Sequence, residues 1–399
     1  MSKLGFLNRF IDFLVINLMS TCNYIYNMQN KDFILKLGEV MAGQKEVVLI
    51  TGASGRIGFR TAERFLEKFQ IVGFDVFLTG HFPGIDLVGV DMSSDESVDE
   101  GLKQLLDQYG NKIASVIHLA AYYNFAGGGW HNYQRITVEG TERLFKGLRK
   151  YNFEVEQFIF SSTMLVHAPC KPGEKIDENS AVIPKWNYPK SKVLTEDLIH
   201  RMQGDIPSVI LRIAGVYDDR CHSIPLSNQI QRIYENQLEA HVFAGDINHG
   251  ASFLHMDDLI EALWLTVEKR KELPHELVLV MGEPDTYSYD TLQKEIAKQI
   301  YGIDWKTWSL PKPVAKIGAW CKQNLPFFQK TFIKPWMIDL ADDHYELDIT
   351  RAKKILGWNP RHTVIEHIRS WVEQLKKEPL AWYDENKLKP SEKVSREQS

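Results

Sequence analysis

Tyr188 and Lys192 stand four residues apart in Asn187-Tyr188-Pro189-Lys190-Ser191-Lys192. That spacing puts both side chains on one face of a helix, and Pro189 suits its first turn. A free tyrosine, with a pKa of about 10, is a poor base at neutral pH. An ammonium beside it stabilises the phenolate and makes the pair a proton-transfer device. Upstream, the apolar run Phe158-Ile159-Phe160 opens into Ser161-Ser162-Thr163, three hydroxyls where a strand would end. Turns collect such residues for structural reasons too, and YxxxK recurs by chance. The pair therefore carries weight only if the surrounding elements are the right ones.

Those elements begin with Val47-Val48-Leu49-Ile50, a short continuous apolar run expected of a parallel strand buried on both faces. It leads into Thr51-Gly52-Ala53-Ser54-Gly55-Arg56-Ile57-Gly58, followed by helical spacing over Phe59–Phe69. Glycines there permit a tight turn, a close backbone approach to a pyrophosphate, and close packing of helix on strand. The helix N-terminus offers oriented N–H groups to the anion. A second strand, Ile71-Val72-Gly73-Phe74, ends in Asp75, 23 residues beyond Gly52, where an acid accepts hydrogen bonds from an adenosine ribose. The alternation continues with a strand over Leu87–Asp91 that carries Asp91-Met92 at its carboxyl end, and a helix over 95–109. A fourth strand over Ala114–Ala121, a helix over 132–150 and a fifth strand over Phe158–Phe160 follow. This order predicts an α/β fold, a Rossmann-type doubly wound parallel sheet, with a smaller, mostly helical C-terminal substrate domain.

The whole chain has 399 residues, 44% hydrophobic and 25% charged, which fits a globular protein of two or three domains. A net charge of −5 provides no basic field, so nucleic acid is not expected as a partner. Cys22, Cys170, Cys221 and Cys321 lie far apart with no CxxC pair or Cys/His cluster. They read as reduced thiols of a cytoplasmic protein, with no metal site. The expected partition is an N-terminal extension (1–40), a dinucleotide-binding domain (41–217 and about 240–272), a substrate domain (218–239 and 273–378) and a charged tail (379–399), solvated and disordered over 384–399. The extension holds an interrupted apolar stretch too short to span a bilayer and a poor signal-peptide pattern; it reads as a segment upstream of the first domain. The substrate domain is rich in aromatic residues, among them Tyr301, Trp305, Trp308, Trp320, Phe327, Phe328, Phe332 and Trp336. Core packing is expected for most of them, and for Val314–Leu325 in preference to a membrane surface.

Several motifs fall in a fixed order. Thr51–Gly58 matches a TGxxGxxG loop, and Asp91-Met92 stands at the carboxyl end of the third strand. His118-Leu119-Ala120-Ala121 matches a fourth-strand motif, and Thr137-Val138-Glu139-Gly140-Thr141 matches NVxGT with Thr137 replacing Asn. Phe253-Leu254-His255-Met256-Asp257-Asp258 matches FxHVDD, and Leu356-Gly357-Trp358-Asn359-Pro360 matches LGWxP. Thr163 lies 25 residues before Tyr188. Together these residues resemble the extended short-chain dehydrogenase/reductase superfamily, specifically its NAD-dependent epimerase/dehydratase family, from residue 46 to about 375. The resemblance implies that Tyr188 exchanges the proton on a substrate oxygen, that Thr163 hydrogen-bonds that oxygen, and that Lys192 tunes the tyrosine and binds the nicotinamide ribose. It implies NAD as cofactor, held by Gly52, Ser54, Gly55, Arg56, Ile57, Gly58, Asp75, Asp91, Met92, Leu119, Ala120, Ala121, Tyr188 and Lys192. Asp75 would repel the extra phosphate of NADP, and Val76-Phe77-Leu78-Thr79 supplies no cation to offset it; Arg56 is the one contrary feature.

Departures from the family pattern narrow the substrate. Met164-Leu165 stand where dehydratases carry Asp-Glu, so a dehydratase is not expected. Ala251-Ser252 replace the arginine that grips a nucleotide-sugar diphosphate, and Ala214-Gly215 replace an asparagine. His249 or Arg220 would have to compensate. The expected activity is an NAD-dependent oxidoreductase that interconverts an alcohol and a carbonyl on a small or partly apolar substrate. The alternatives are a nucleotide-sugar 4-epimerase and a non-catalytic dinucleotide-binding module, and the intact Thr163, Tyr188 and Lys192 speak against the module. A homodimer is left open, and no membrane partner is expected.

Overall fold

Seven runs pair side by side, all parallel; the inner strands are buried on both faces, and only the edge strands expose residues such as Asp86 and Glu276. They are β1 (Val47–Thr51), β2 (Gln70–Asp75), β3 (Ile85–Gly89), β4 (Ser115–His118), β5 (Phe158–Thr163), β6 (Ser208–Ile213) and β7 (Glu276–Met281), in the spatial order β7-β6-β5-β4-β1-β2-β3. The structure is a computed structural model that describes residues 45–78, 83–124, 127–324 and 333–397. Val47–Ser399 forms one compact unit, and Met1–Glu46 groups separately. The expected extension over 1–40 lies outside the described residues.

Helices cover both faces. On one side α2 (Asp95–Tyr109) and α3 (Glu139–Lys150) bury Leu102, Leu105, Leu144, Phe145 and Leu148 against Phe74, Phe158 and Phe160. On the other, α1 (Arg56–Phe65) and α6 (Met256–Glu268) bury Phe65, Leu259 and Leu263 with Phe69 and Trp358. Burying each such side chain contributes about 1.5–3 kcal/mol before ordering entropy is counted. The Trp358 indole N–H donates to the Asp258 carbonyl (2.9 Å), which ties the LGWxP element to α6. Beside α3 lies α4 (Asn187–Met202), whereas α5 (Ile224–Tyr234) and α7 (Tyr289–Tyr301) pack on each other in a separate cluster with Trp371. The C-terminal part contains α8 (Lys312–Asn324), α9 (Val364–Lys377), α10 (Pro379–Glu385) and α11 (Glu392–Glu397).

Several expectations need correction. β7 was assigned to the substrate domain, yet it pairs with β6 along its whole length, from Glu276↔Ser208 to Met281↔Ile213. Leu277-Val278-Leu279-Val280-Met281 is the kind of continuous apolar run that a buried parallel strand requires. α1 starts at Arg56 rather than Phe59, since Gly55 takes the extended cap conformation. The third strand ends at Gly89, so Asp91-Met92 lies beyond it in the turn before α2. The helix expected over 132–150 opens with a π-helical turn, Tyr133–Val138, before α3.

The tail is not a solvated one. Trp382, Tyr383 and Val394 are buried in a cluster with Ile230, Ile233 and Trp371. The Tyr383 hydroxyl donates to Glu235 (2.7 Å). The charged residues around these apolar positions face outward and dominate the composition, which hides the buried face. α8 departs in the opposite direction. Ala315 and Ala319 pack inward, while Val314, Ile317 and Trp320 are exposed. Lys312–Asp342 and Lys316–Asp339 ion pairs orient the helix that way round. Trp305 is buried as expected, Tyr301 and Trp308 are exposed, and Phe327, Phe328 and Phe332 lie outside the described residues. Among the described residues, no helix is long and apolar enough to cross a membrane.

Candidate active site

β1 has β2 on one side and β4 on the other, so the sheet's connections leave in opposite directions there and a crevice opens at the carboxyl ends. Buried hydrogen bonds hold those ends together. The Thr51 hydroxyl accepts from the Ala120 N–H (3.1 Å) and donates to His118 Nδ1 (2.7 Å). The Thr141 hydroxyl donates to the Thr137 carbonyl (2.7 Å), so it must accept from His118 Nε2 (2.9 Å). That assigns the Nε2–H tautomer, and burial pushes His118 down to about 3, so the ring stays neutral. Thr137, the departure from Asn in NVxGT, accepts from the Tyr122 N–H (3.0 Å).

The glycine loop is held close by the same ends. Gly52 sits at φ +75, and a Cβ there would lie 3.0 Å from the Ala120 nitrogen. A Cβ on Gly58 would lie 2.1 Å from the Gly52 carbonyl, so only glycine permits α1 to start this near the strand. The first N–H groups of α1 have no acceptor within the helix and face the crevice as anion donors. Asp75, at the end of β2, accepts from the Ser54 N–H (3.0 Å) and the Phe77 N–H (3.1 Å). Its carboxylate is thereby fixed beside the loop. Arg56 donates to the Glu385 carbonyl (3.1 Å) and lies near Asp218, so it is directed toward α10 rather than Asp75. Asp91 accepts from the Ser93 N–H (2.8 Å), and Met92 is buried against Gly140. Leu119 and Ala121 reach the cavity wall, as does Ile57. A tight glycine turn, a free helix N-terminus and a fixed acid at the end of β2 fit an adenine dinucleotide.

Thr163, Tyr188 and Lys192 converge on one wall of a cavity of about 1030 Å³. Lys192 is buried, and its ammonium donates to the Ser161 carbonyl (2.6 Å), 4.7 Å from the Phe160 ring centre and 5.8 Å from that of Tyr188. Burial pushes Lys192 down to about 7, against the opposing pull of Glu196. Burial also pushes the Tyr188 phenol up to about 12, although its hydrogen bond with Thr163 acts to lower it. The expected lowering of the tyrosine by its lysine neighbour is therefore not what this protein alone produces. Desolvation wins because the ammonium is spent on a backbone carbonyl and sits beyond the ring. Beneath the trio, Glu196 bridges Ser162 and Arg212, with Arg212 Nη2 at 2.7 Å.

Aromatic rings frame Tyr188. Tyr123 meets it edge-on at 4.9 Å, and Trp186 lies 5.5 Å from both Tyr188 and Trp336. Neither Tyr123 nor Trp186 announced itself in the sequence; their nearness to the YxxxK and HLAA motifs was the available signal. The cavity continues past Leu165, Ile213, Val216, Phe243 and Leu292 to α8. Ala214, Gly215, Ala251 and Ser252 line it and bring no charge. Neither expected compensator is free. Arg220 is exposed and pairs with Glu385, and His249 Nδ1 is bonded to the Asp342 carbonyl (2.5 Å). The sequence reading missed Arg232 on α5. It is partly buried, lines the cavity, and has no side-chain partner among the described residues. Lys185, by contrast, is neutralised by Asp343 (2.6 Å).

Residues 48–282 match the model of the NAD dependent epimerase/dehydratase family. Among curated proteins, the chain is 22% identical to sterol-4-alpha-carboxylate 3-dehydrogenase, decarboxylating, of Saccharomyces cerevisiae, across 85% of this chain and 98% of that one. It is 23% identical to N-acetyl-alpha-D-glucosaminyl-diphospho-ditrans,octacis-undecaprenol 4-epimerase of Escherichia coli O157:H7, across 69% and 78% of the two chains. Among solved structures, UDP-glucuronic acid 4-epimerase from Bacillus cereus, in complex with UDP-glucuronic acid and NAD, shares the fold. Its TM-score is 0.61 at 21% identity, covering 83% of this chain and 99% of that one.

Proposed function

The chain belongs to the NAD-dependent epimerase/dehydratase family, and we propose that within it this protein oxidises or reduces a predominantly apolar alcohol or ketone that bears one anionic group. The observation that carries the reading is the cavity. Thr163, Tyr188 and Lys192 open onto about 1030 Å³ lined mainly by aliphatic and aromatic side chains, with Arg232 as a guanidinium that has no side-chain partner among the described residues. An apolar pocket gains by excluding water from an apolar body, and a partly buried guanidinium on its wall is stabilised by an anion brought in with it. The similarity to a dehydrogenase of sterol carboxylates supports that combination of an apolar frame and an acid.

The glycine loop, Asp75, Asp91, Met92, Leu119, Ala120, Ala121 and Lys192 would hold NAD. Bound there, NAD supplies the hydride acceptor or donor and, when oxidised, a positive charge that favours the phenolate. Tyr188 carries its proton at neutral pH and gives it to a carbonyl oxygen during reduction; in the reverse direction the phenol first gives up that proton, and the phenolate then takes the proton of the alcohol. Thr163 donates to the same oxygen and holds it against the phenol. Lys192 sets the charge beneath the phenol and changes its own protonation near neutral pH. The surrounding rings exclude water, which strengthens each of these interactions.

A nucleotide-sugar 4-epimerase is the second reading, and Arg232 also favours it as a replacement for the lost diphosphate grip. Two assays separate the readings. NAD-loaded protein is offered sterol and polyprenyl alcohols with and without a carboxylate, and NADH is followed by absorbance. Calorimetry with UDP, dTDP and GDP sugars runs in parallel. Turnover of the acidic apolar alcohols, with nucleotide sugars failing to bind, is the expected outcome. Micromolar binding of a nucleotide sugar that is lost in Arg232→Ala would hand the site to the epimerase.

A further inference from the structure

We propose that Asp219, His255 and His367 bind a divalent transition-metal ion of the zinc class, which clamps the loop after strand Gly215–Tyr217 to α9. No spacing in the sequence suggests this, because the three residues meet only in the folded chain. His255 ends the short strand Phe253–His255, its ring is 1% exposed, and its Nε2 has no hydrogen-bond partner. That atom lies 3.5 Å from Asp219 Oδ1, and His367 Nε2 lies 3.5 Å from the same oxygen. Such separations are long for hydrogen bonds. They match the edge of a coordination tetrahedron, which is about 3.3–3.6 Å for metal–ligand bonds of about 2.0–2.2 Å. All three ligand atoms lie within 4.8 Å of one another.

Tautomers decide whether the imidazoles can serve. His367 Nδ1–H donates to the Thr363 carbonyl (3.0 Å), which leaves the Nε2 lone pair toward Asp219 and orients the ring as outer contacts do at metal sites. His255 Nδ1 accepts from the Asp257 N–H (3.2 Å), so without an ion its proton sits on Nε2. Coordination through Nε2 moves that one proton to Nδ1, which ends the bond that the Asp257 N–H makes to the ring. His362 stacks on His255 at 4.1 Å, but its Nδ1 is turned to Asp258 (3.1 Å), and Asp257 is shared with Arg60 (2.8 Å). Both stay outside the set, and water completes the tetrahedron. Imidazole with one carboxylate suits zinc rather than calcium or magnesium.

The clamp would act on a loop that needs holding. Cys221 and His222 sit at φ 77 and 39, and His222 and Ser223 line the substrate cavity. The test uses the full chain without an affinity tag, stripped with a chelator and titrated with zinc chloride by calorimetry. One ion should bind per chain and raise the melting temperature. Asp219→Asn, at a 75% exposed side chain, and His367→Gln should each weaken binding at least about tenfold and remove the thermal shift, whereas His362→Gln should leave both unchanged. Cobalt should give the visible absorption of a four-coordinate centre in the wild type and in His362→Gln, but not in Asp219→Asn or His367→Gln. Failure of the wild type to bind zinc, full affinity in Asp219→Asn, or loss in His362→Gln would each overturn the assignment.

Discussion

Tyr188 and Lys192 are pushed in opposite directions by the same burial, one up to about 12 and the other down to about 7. Tyr188→Phe keeps the ring and its contacts with Tyr123 and Trp186 but removes the proton carrier. Turnover should fall by about 10²–10⁴-fold with NAD affinity nearly unchanged, as read by steady-state rates and by calorimetry. Lys192 also makes a pH prediction. Its folded value of about 7 lies below its ordinary 10.5, so between them the unfolded chain binds a proton that the folded chain gives up. Stability from this group is present at high pH and is lost as pH falls through about 7. Glu283, raised by burial from 4.5 to about 7, acts in the window below. Its contribution is present under its ordinary value and lost as pH rises toward 7. Urea unfolding without cofactor should therefore show a stability gain from pH 7 to about pH 9 that is absent in Lys192→Met. An equal gain in the variant would mean that Lys192 is not buried in its neutral form.

At the scale of elements, the β2 end and the glycine loop act as one unit, because the Ser54 N–H holds the Asp75 carboxylate. With Arg56 drawn toward α10, no described cation lies beside Asp75 to neutralise a 2′-phosphate. Titration of both dinucleotides should show NAD binding tighter than NADP, and Asp75→Ala should narrow the difference; tighter NADPH binding by the wild type would refute the reading. Much of this was legible in the sequence. Gly52, Gly58 and Asp75 are dictated by local geometry, and their spacing reports it. β7 was misassigned because nothing local in Leu277–Met281 says which sheet the run joins. α8 was misread because its large apolar residues imply an inward face that the small Ala315 and Ala319 occupy instead.

The unit Val47–Ser399 packs around its C-terminal segment. Trp382 and Tyr383 on α10 are buried among residues of α5 and α9, and Glu385 on the same helix receives both Arg56 and Arg220. The last helices therefore connect the core beneath the substrate cavity to the edge of the cofactor loop. Trp382→Ala should cost about 3–5 kcal/mol. The melting temperature should drop by about 4–7 °C for a chain of this size. NAD should protect the variant less than the wild type, since the Arg56 anchor loosens with α10. A melting temperature within a degree or two of the wild type would show that the segment is an appendage. Every proposed site residue lies in the unit Val47–Ser399. A chain started at Met41 should accordingly bind NAD with the affinity of the full protein; loss of folded protein would mean that the first forty residues support it.

The sequence by itself determined the alternation of strands and helices, the glycine loop, the acid at the end of β2 and the Thr–Tyr–Lys set. Each of these rests on interactions between residues close in the chain or on a repeated strand–helix unit, so spacing and residue type carry the information. Only the tertiary structure decided that Arg232 lines an apolar cavity with no side-chain partner among the described residues, that Tyr123 and Trp186 frame the phenol, and that Asp219, His255 and His367 meet. Those are relations between segments far apart in sequence. They depend on which faces pack and on which charges find partners, and burial reversed the sign of the tyrosine shift that adjacency alone suggested.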